Sequence, residues 1–234
     1  MPRCSAPRSD RGAATVPYNG VMACLVCNKR KGKRFCPAKA GKICTTCCAT
    51  EREETIDCPL DCPHLRESRL HEHKGLLDPD NFPYKEIRIT DSFLREHEEL
   101  LIACGRAVLS SALESPRASD RDTREALDAL IQTYKTLDSG IYYETRPDSV
   151  YAREIMGRIQ QQLREFKENE AKQMGFSRTR DSDIRALLIF LYRMALDRDN
   201  GRSRGKAFLD FLLQHFQPAD ARPAPAPSLI IPGT

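Results

Sequence analysis

The sequence predicts a mainly α-helical protein in two parts, a small cysteine-rich zinc finger over about residues 21–65 and a five-helix domain over about 84–217. Eight of the ten cysteines in the 234-residue chain fall between Cys24 and Cys62. From Asp91 onward, apolar residues recur at helical spacing in five stretches, separated by Gly, Pro or Asn-Gly punctuation. Between these parts, residues 66–83 read as a linker, and residues 1–20 and 218–234 as disordered ends rich in Pro and Ala.

The N-terminal residues Met1 to Asp10 contain no apolar stretch of the kind that marks secretion. Cys4 lies there, away from the cluster, and is left out of the sites. No apolar run approaches the roughly 18 residues of a membrane span. A soluble, cytoplasmic protein without membrane contacts is expected, and in such a compartment clustered thiols point to metal rather than to disulfides.

Cys24/Cys27 and Cys44/Cys47 are two-residue-gap pairs separated by sixteen residues. Each pair brings two sulfurs to one tetrahedral ion, and all-thiolate sites of this kind suit zinc. The eight cysteines make two sites, so two Zn(2+) are expected. Cys24, Cys27, Cys44 and Cys47 form one, and Cys36, Cys48, Cys58 and Cys62 form the other in an interleaved cross-brace.

The run Cys24-x2-Cys27-x8-Cys36-x7-Cys44-x2-Cys47, with Phe35 before the third cysteine and Ile43 before the fourth, resembles a B-box-type zinc finger over about forty residues. The resemblance implies two interleaved zincs in a cross-brace or treble-clef arrangement, and a role in protein–protein contact and self-association. The chain departs from that pattern at Lys39, where the family has an acidic or cysteine ligand. Cys58-x3-Cys62 also replaces the family's closing histidine pair, which leaves Cys48 to complete the set, with His64 as its alternative.

Charge within the finger is uneven. Lys29, Arg30, Lys31, Lys33, Arg34, Lys39 and Lys42 precede any acid, whereas Glu51, Glu53, Glu54, Asp57 and Asp61 cluster behind them. Two four-thiolate zinc sites carry about −4 together. Eight basic against five acidic side chains between Cys24 and Cys62 offset most of it. Neutralisation accounts for the basic run, and phosphate-backbone contact is the competing reading.

After the finger, Leu65 to His73 can extend as a short exposed helix carrying His71 and His73. Ile87 and Ile89 mark a brief extended segment. The first long helix runs from an Asp91 cap to about Leu113, with Phe93, His97, Leu100, Cys104, Val108 and Ala112 on its apolar side. Cys104 on that stripe reads as a buried structural thiol. The second helix, about Asp122 to Leu137, ends at Gly140. The loop after it presents Tyr142, Tyr143 and Arg146, with the two tyrosines expected to pack inward. Pro147 opens the third helix, which buries Ile155, Ile159 and Leu163 and reaches about Met174. The fourth, Asp183 to about Leu196, is apolar on nearly every side and should be the central helix. The fifth, about Arg204 to Phe216, buries Phe208, Leu209 and Leu212, with Asp210 facing away or capping a neighbour. The Asn200–Gly205 loop before it is the least neutralised basic stretch of this domain, and Arg202, Arg204 and Lys206 there are candidate anion contacts.

No nucleophile elbow, P-loop, Gly-rich dinucleotide motif or HExxH is present. Closed thiolate sites are structural rather than catalytic. The sequence therefore predicts a non-catalytic zinc-binding adaptor or regulatory protein, with a protein partner engaged through finger and helices and self-association open. Two alternatives are a nucleic-acid-binding regulator using Lys29–Arg34 with the 202–206 loop, and a redox or zinc-sensing switch based on thiolate oxidation.

Overall fold

A computed structural model of the chain describes residues 22–72, 83–141 and 143–216. The expected disordered ends with Cys4, most of the linker including His73, and Tyr142 lie outside the described residues. The chain forms two compact units, one ending at Arg52 and the other beginning at Glu53. This boundary places Cys58 and Cys62 in the second unit, apart from the other cysteines of the expected finger.

In the first unit, strands β1 (Arg34–Cys36) and β2 (Gly41–Ile43) pair antiparallel, with Phe35 opposite Lys42 and Cys36 opposite Gly41. A 3-10 turn at Pro37–Lys39 joins them, with Pro37 at its first position where no backbone N–H is needed. The turn closes through Ala40 in the left-handed region, φ 49°. Gly32 lies against β2 so closely that an added Cβ would stand 2.7 Å from the Lys42 Cβ. Helix α1 (Thr45–Thr50) follows directly, with Cys44 as its N-cap. Ile43 is the one large apolar side chain buried among residues 22–52, and its companions in the interior are cysteines.

The second unit contains α2 (Pro63–Arg69), α3 (Asp91–Glu96), α4 (Glu98–Glu114), α5 (Asp120–Asp138), α6 (Val150–Met174), α7 (Asp181–Asp197) and α8 (Ala207–His215). The five helices read from periodicity correspond to α3 with α4, α5, α6, α7 and α8, and α2 falls on the short helix expected after the finger. The expected helix from Asp91 to Leu113 is interrupted at His97, which leaves helical geometry at φ −110°, ψ 22°. Its cap is Thr90, whose hydroxyl accepts from the Phe93 N–H. Ser149 rather than Pro147 caps α6, and Gly175 at φ 81° ends it. In α2, Leu65 is buried, so that helix is docked rather than free.

Helix α5 packs against α6, α7 and α8, and α6 also packs against α4. The hub is therefore α5, and not the more apolar α7. The difference has a physical cause. The incoming segment 83–89 covers part of α7. Ile87 and Ile89 pack on the core, and Tyr84 meets Tyr192 edge-on at 6.1 Å. Arg193 of α7, buried, donates to the carbonyl oxygens of Pro83, Tyr84 and Ile87 and so fixes that segment. Cys104 is buried in the α4 core and its thiol is pushed up to about 12 by desolvation, as expected of a structural cysteine. Among the described residues no helix is long and apolar enough to cross a membrane.

Candidate metal centre

The first cysteine pair sits on a tight turn. Asn28 takes the left-handed region at φ 53°, which asparagine tolerates, and its N–H bonds back to the Cys24 carbonyl at 2.8 Å. The Cys24 N–H closes the turn on the Arg30 carbonyl, and Ala23 bridges to Lys31. The second pair spans the end of β2 and the first turn of α1. Strand pairing carries the chain past Ile43 so that Cys44 lies over the first turn: its N–H donates to Cys24 Sγ at 3.1 Å, while the Cys47 N–H donates to Cys44 Sγ at 3.4 Å.

These elements bring Cys24, Cys27, Cys44 and Cys47 together, with all four sulfurs within 4.8 Å of one another. A tetrahedral zinc–thiolate site has bonds of about 2.3 Å and hence sulfur–sulfur edges of about 3.8 Å. The cluster thus needs only a small inward movement to hold a metal such as zinc. Three of the cysteines are buried and Cys27 half-buried. None of the nine described cysteines is in a disulfide.

Electrostatics differ around the ring. The Cys47 backbone N–H, chiefly, draws Cys44 down to about 6. The hydrogen bond with that thiol, and burial next, push Cys47 up to about 12. Cys27 is lowered first by the Lys29 backbone N–H, and the Arg30 guanidinium is held charged by its hydrogen bond to Cys44. Cys44 is thereby prepared as an anion and Cys27 is shifted in the same direction, and a bound dication would supply the field that removes the other protons. Four thiolates complete a tetrahedron and leave no coordination position for a substrate.

Among the described residues, no second group of three or more ligand side chains is gathered in this way. Cys36, Cys48, Cys58 and Cys62 are each buried. Cys48 has the guanidinium N–H groups of Arg34 and Arg52 each at 3.8 Å from its sulfur. His64, the alternative ligand, is half-buried with Nδ1 at 3.7 Å from Glu67. His71 is exposed.

The candidate anion contacts divide. Lys29, Arg30, Lys31, Lys33, Lys39 and Lys42 are exposed, and none of the six forms an ion pair among the described residues. Arg34 is half-buried beside Cys48. In the second unit, Lys206 is buried, with Nζ at 2.6 Å from Asp57 and 2.5 Å from the Pro116 carbonyl. That ammonium is occupied internally. Arg204 is exposed, and its backbone N–H is bonded to the Glu53 carbonyl; Arg202 is half-buried.

Sequence reasoning missed Glu53. It is fully buried, and its carboxylate meets Arg69 at 2.5 Å, Asn200 at 2.9 Å and the Lys206 N–H at 2.9 Å. Beside it, buried Asp120 accepts the N–H groups of Phe208 and Leu209 at the start of α8. No local pattern announces either, because their partners lie far along the chain. Two acids of the stretch after Arg52 are thus neutralised within the second unit: Glu53 by Arg69, and Asp57 by Lys206.

Compared with protein-family models, curated proteins and solved structures, the chain matches none. The B-box likeness accordingly rests on the cysteine spacing, of which the Cys24/Cys27/Cys44/Cys47 cluster is the part the structure bears out.

Proposed function

We propose that the protein is a non-catalytic zinc-binding adaptor or regulatory protein whose N-terminal unit is a metal-held binding module. One observation carries this reading: the four gathered cysteines form a closed all-thiolate set, with backbone N–H groups spent on its sulfurs. Such a site gives a small unit its fold and keeps no position for chemistry. The helical unit supplies the second contact surface, with a protein as its partner.

A second reading concerns the partner of the N-terminal unit. Residues 22–52 hold eight Lys or Arg and one acid, Glu51, which is a formal +7 before the site is counted. A single zinc with four thiolates subtracts about 2. Of the acids that follow, Glu53 and Asp57 are paired with Arg69 and Lys206 within the other unit, so those two do not offset this charge. The excess favours an anionic partner for this module, nucleic acid included.

The finer metal proposal is two zincs per chain, the second on Cys36, Cys48, Cys58 and Cys62. Elemental analysis of reductively purified protein tests both levels, with Cys44→Ser and Cys58→Ser variants alongside. Two equivalents falling to one in either variant supports the two-site arrangement. One equivalent lost only in Cys44→Ser restricts the metal to the gathered cluster. Iron, or no metal, removes the basis of the adaptor reading and favours the thiol switch. Pulldown with zinc-loaded protein then tests binding itself, and recovery of no partner at all counts against the adaptor.

A further inference from the structure

The outward face of the hairpin is where the cationic surface acquires chemical character. Phe35 is 59 % exposed in the middle of β1, directly opposite Lys42 of β2. Directly paired residues stand on one face of a sheet. Lys33 is exposed immediately before β1, its N–H bonded to the Ile43 carbonyl. Lys39 is exposed on the turn that joins the strands. An aromatic ring is thus presented to solvent among three ammonium groups that have no carboxylate partners among the described residues.

Burial would have been the cheaper fate for this ring, since a phenylalanine side chain gains roughly 1.5–3 kcal/mol on leaving water. The fold instead turns Cys36 and Ile43 inward and Phe35 and Lys42 outward. Neutralisation of the metal centre cannot explain the aromatic, and an aromatic alone would not need the cations. Together they match a polyanion with exposed flat faces. Phosphates pair with the lysines, and an unstacked base lies on the ring. In duplexes the base faces are covered by their neighbours, so the match is to a single strand.

We infer that the β1–β2 face, centred on Phe35 with Lys33, Lys39 and Lys42, binds single-stranded nucleic acid by base stacking and phosphate contact. The inference rests on reading the N-terminal unit as a binding module, and it names that module's partner by chemistry.

The test is fluorescence anisotropy with the full-length, zinc-loaded chain and labelled oligo(dT) over a range of salt, with a blunt duplex in parallel. Wild type is expected to bind the single strand more tightly than the duplex. Phe35→Ala should weaken oligo(dT) binding about tenfold or more at unchanged salt dependence, because stacking is lost and the charges stay. Phe35→Tyr should retain binding, which separates stacking from damage to the hairpin. The Lys33→Ser/Lys42→Ser double variant should flatten the log–log salt slope by about 1.4, at about 0.7 for each phosphate contact. Equal affinity of Phe35→Ala and wild type overturns the inference, as does duplex binding as tight as that of the single strand. Displacement of the label by polyglutamate as readily as by unlabelled oligo(dT) also overturns it and makes an acidic protein segment the partner. Zinc measured on each sample keeps the two proposals apart. Zinc present without oligo(dT) binding sinks this inference alone. Phe35-dependent binding by metal-free protein sustains it and sinks the metal-held module.

Discussion

Residues 22–52 bury a single large aliphatic side chain, Ile43, among cysteines, whereas the unit beginning at Glu53 buries a contiguous cluster that includes Leu100, Leu127, Leu130, Ile155, Ile159, Leu187 and Phe208. The same chain thus uses two devices for holding a fold. A unit as small as the first cannot remove enough apolar surface from water to offset the entropy of ordering its backbone. The four gathered cysteines offer the missing cohesion through bonds to an ion. The second unit is large enough for ordinary hydrophobic stabilisation and adds to it a polar junction of buried Glu53, Asp120 and Lys206 with half-buried Asp57. The comparison teaches where each unit is vulnerable. Loss of metal is decisive in one, and loss of a buried charge partner in the other.

Removing the metal is the largest expected perturbation. A structural zinc contributes on the order of 10 kcal/mol of folding free energy. Chelation, or Cys44→Ser, should therefore abolish the dispersed amide signals of residues 22–52 in NMR spectra. The far-ultraviolet helical signal and its thermal transition should survive. Collapse of both units together would break the comparison, because it would make the helical unit depend on the ion as well.

The next effect belongs to the helical unit. Glu53→Ala leaves Arg69 facing Glu72 alone and strips the Asn200 amide and the Lys206 N–H of their acceptor. Breaking a buried ion pair by removing one partner costs about 3–5 kcal/mol. Urea unfolding followed by helical signal should show that loss, with metal content unchanged. A change below about 1 kcal/mol, the range of an exposed ion pair, would mean that the junction is solvated.

Acidity separates the units by sign. Burial, foremost, raises the Asp120 carboxyl from 3.8 to about 7, with the Phe208 and Leu209 N–H groups opposing and the Glu53 charge adding to it. An acid raised in the folded state contributes stability that is fully present below its unfolded value and is lost as pH rises through the folded one. Between about pH 4 and 7, this contribution to the helical unit falls as pH rises. The thiolate site behaves oppositely, since its ligands must shed protons to hold metal and it gains on the same ascent. Asp120→Asn removes the titration and turns an amide donor toward one backbone donor, at a cost of about 1–3 kcal/mol. Urea midpoints across that pH window should show the wild-type stability advantage over Asp120→Asn shrinking as pH rises. A pH-independent difference would contradict the raised carboxyl.

Much of this was legible in the sequence because the signals were local. Cys24/Cys27 and Cys44/Cys47 announce their shared site by spacing, since a two-residue gap already brings paired sulfurs together. Helices α4 to α8 follow from apolar periodicity, within a few residues at their ends. The break at His97 was hidden, because Phe93, His97 and Leu100 keep helical spacing across it. The identity of the hub was hidden too. Apolarity of Ile184 to Tyr192 says that α7 is covered, but not that the segment from Pro83 to Ile89 does part of the covering. The Asn200–Lys206 loop shows the limit most clearly. Its charges resemble an anion site when read alone. They acquire another meaning only when Glu53, at a separation of 153 residues from Lys206, is found at 2.9 Å from its backbone N–H.

The smallest expected effect sharpens the comparison at a single hydroxyl. Ser119 and Asp122 form a capping box at the start of α5: Ser119 Oγ accepts the Asp122 N–H, and Asp122 Oδ2 accepts the Ser119 N–H at 2.9 Å. Cys44 performs the same office for α1, its sulfur accepting the Cys47 N–H. The two caps differ in what else depends on them. Ser119→Ala removes one acceptor from a helix that α6, α7 and α8 continue to hold, so about 1 kcal/mol should be lost, readable as a shift in the urea midpoint with an unchanged slope. Cys44→Ser also leaves an oxygen to cap with, yet it removes a ligand from a unit that has little else. If Cys44→Ser proved as mild as Ser119→Ala, capping rather than metal would be what Cys44 supplies, and the first unit would need a source of cohesion that its single buried isoleucine cannot provide.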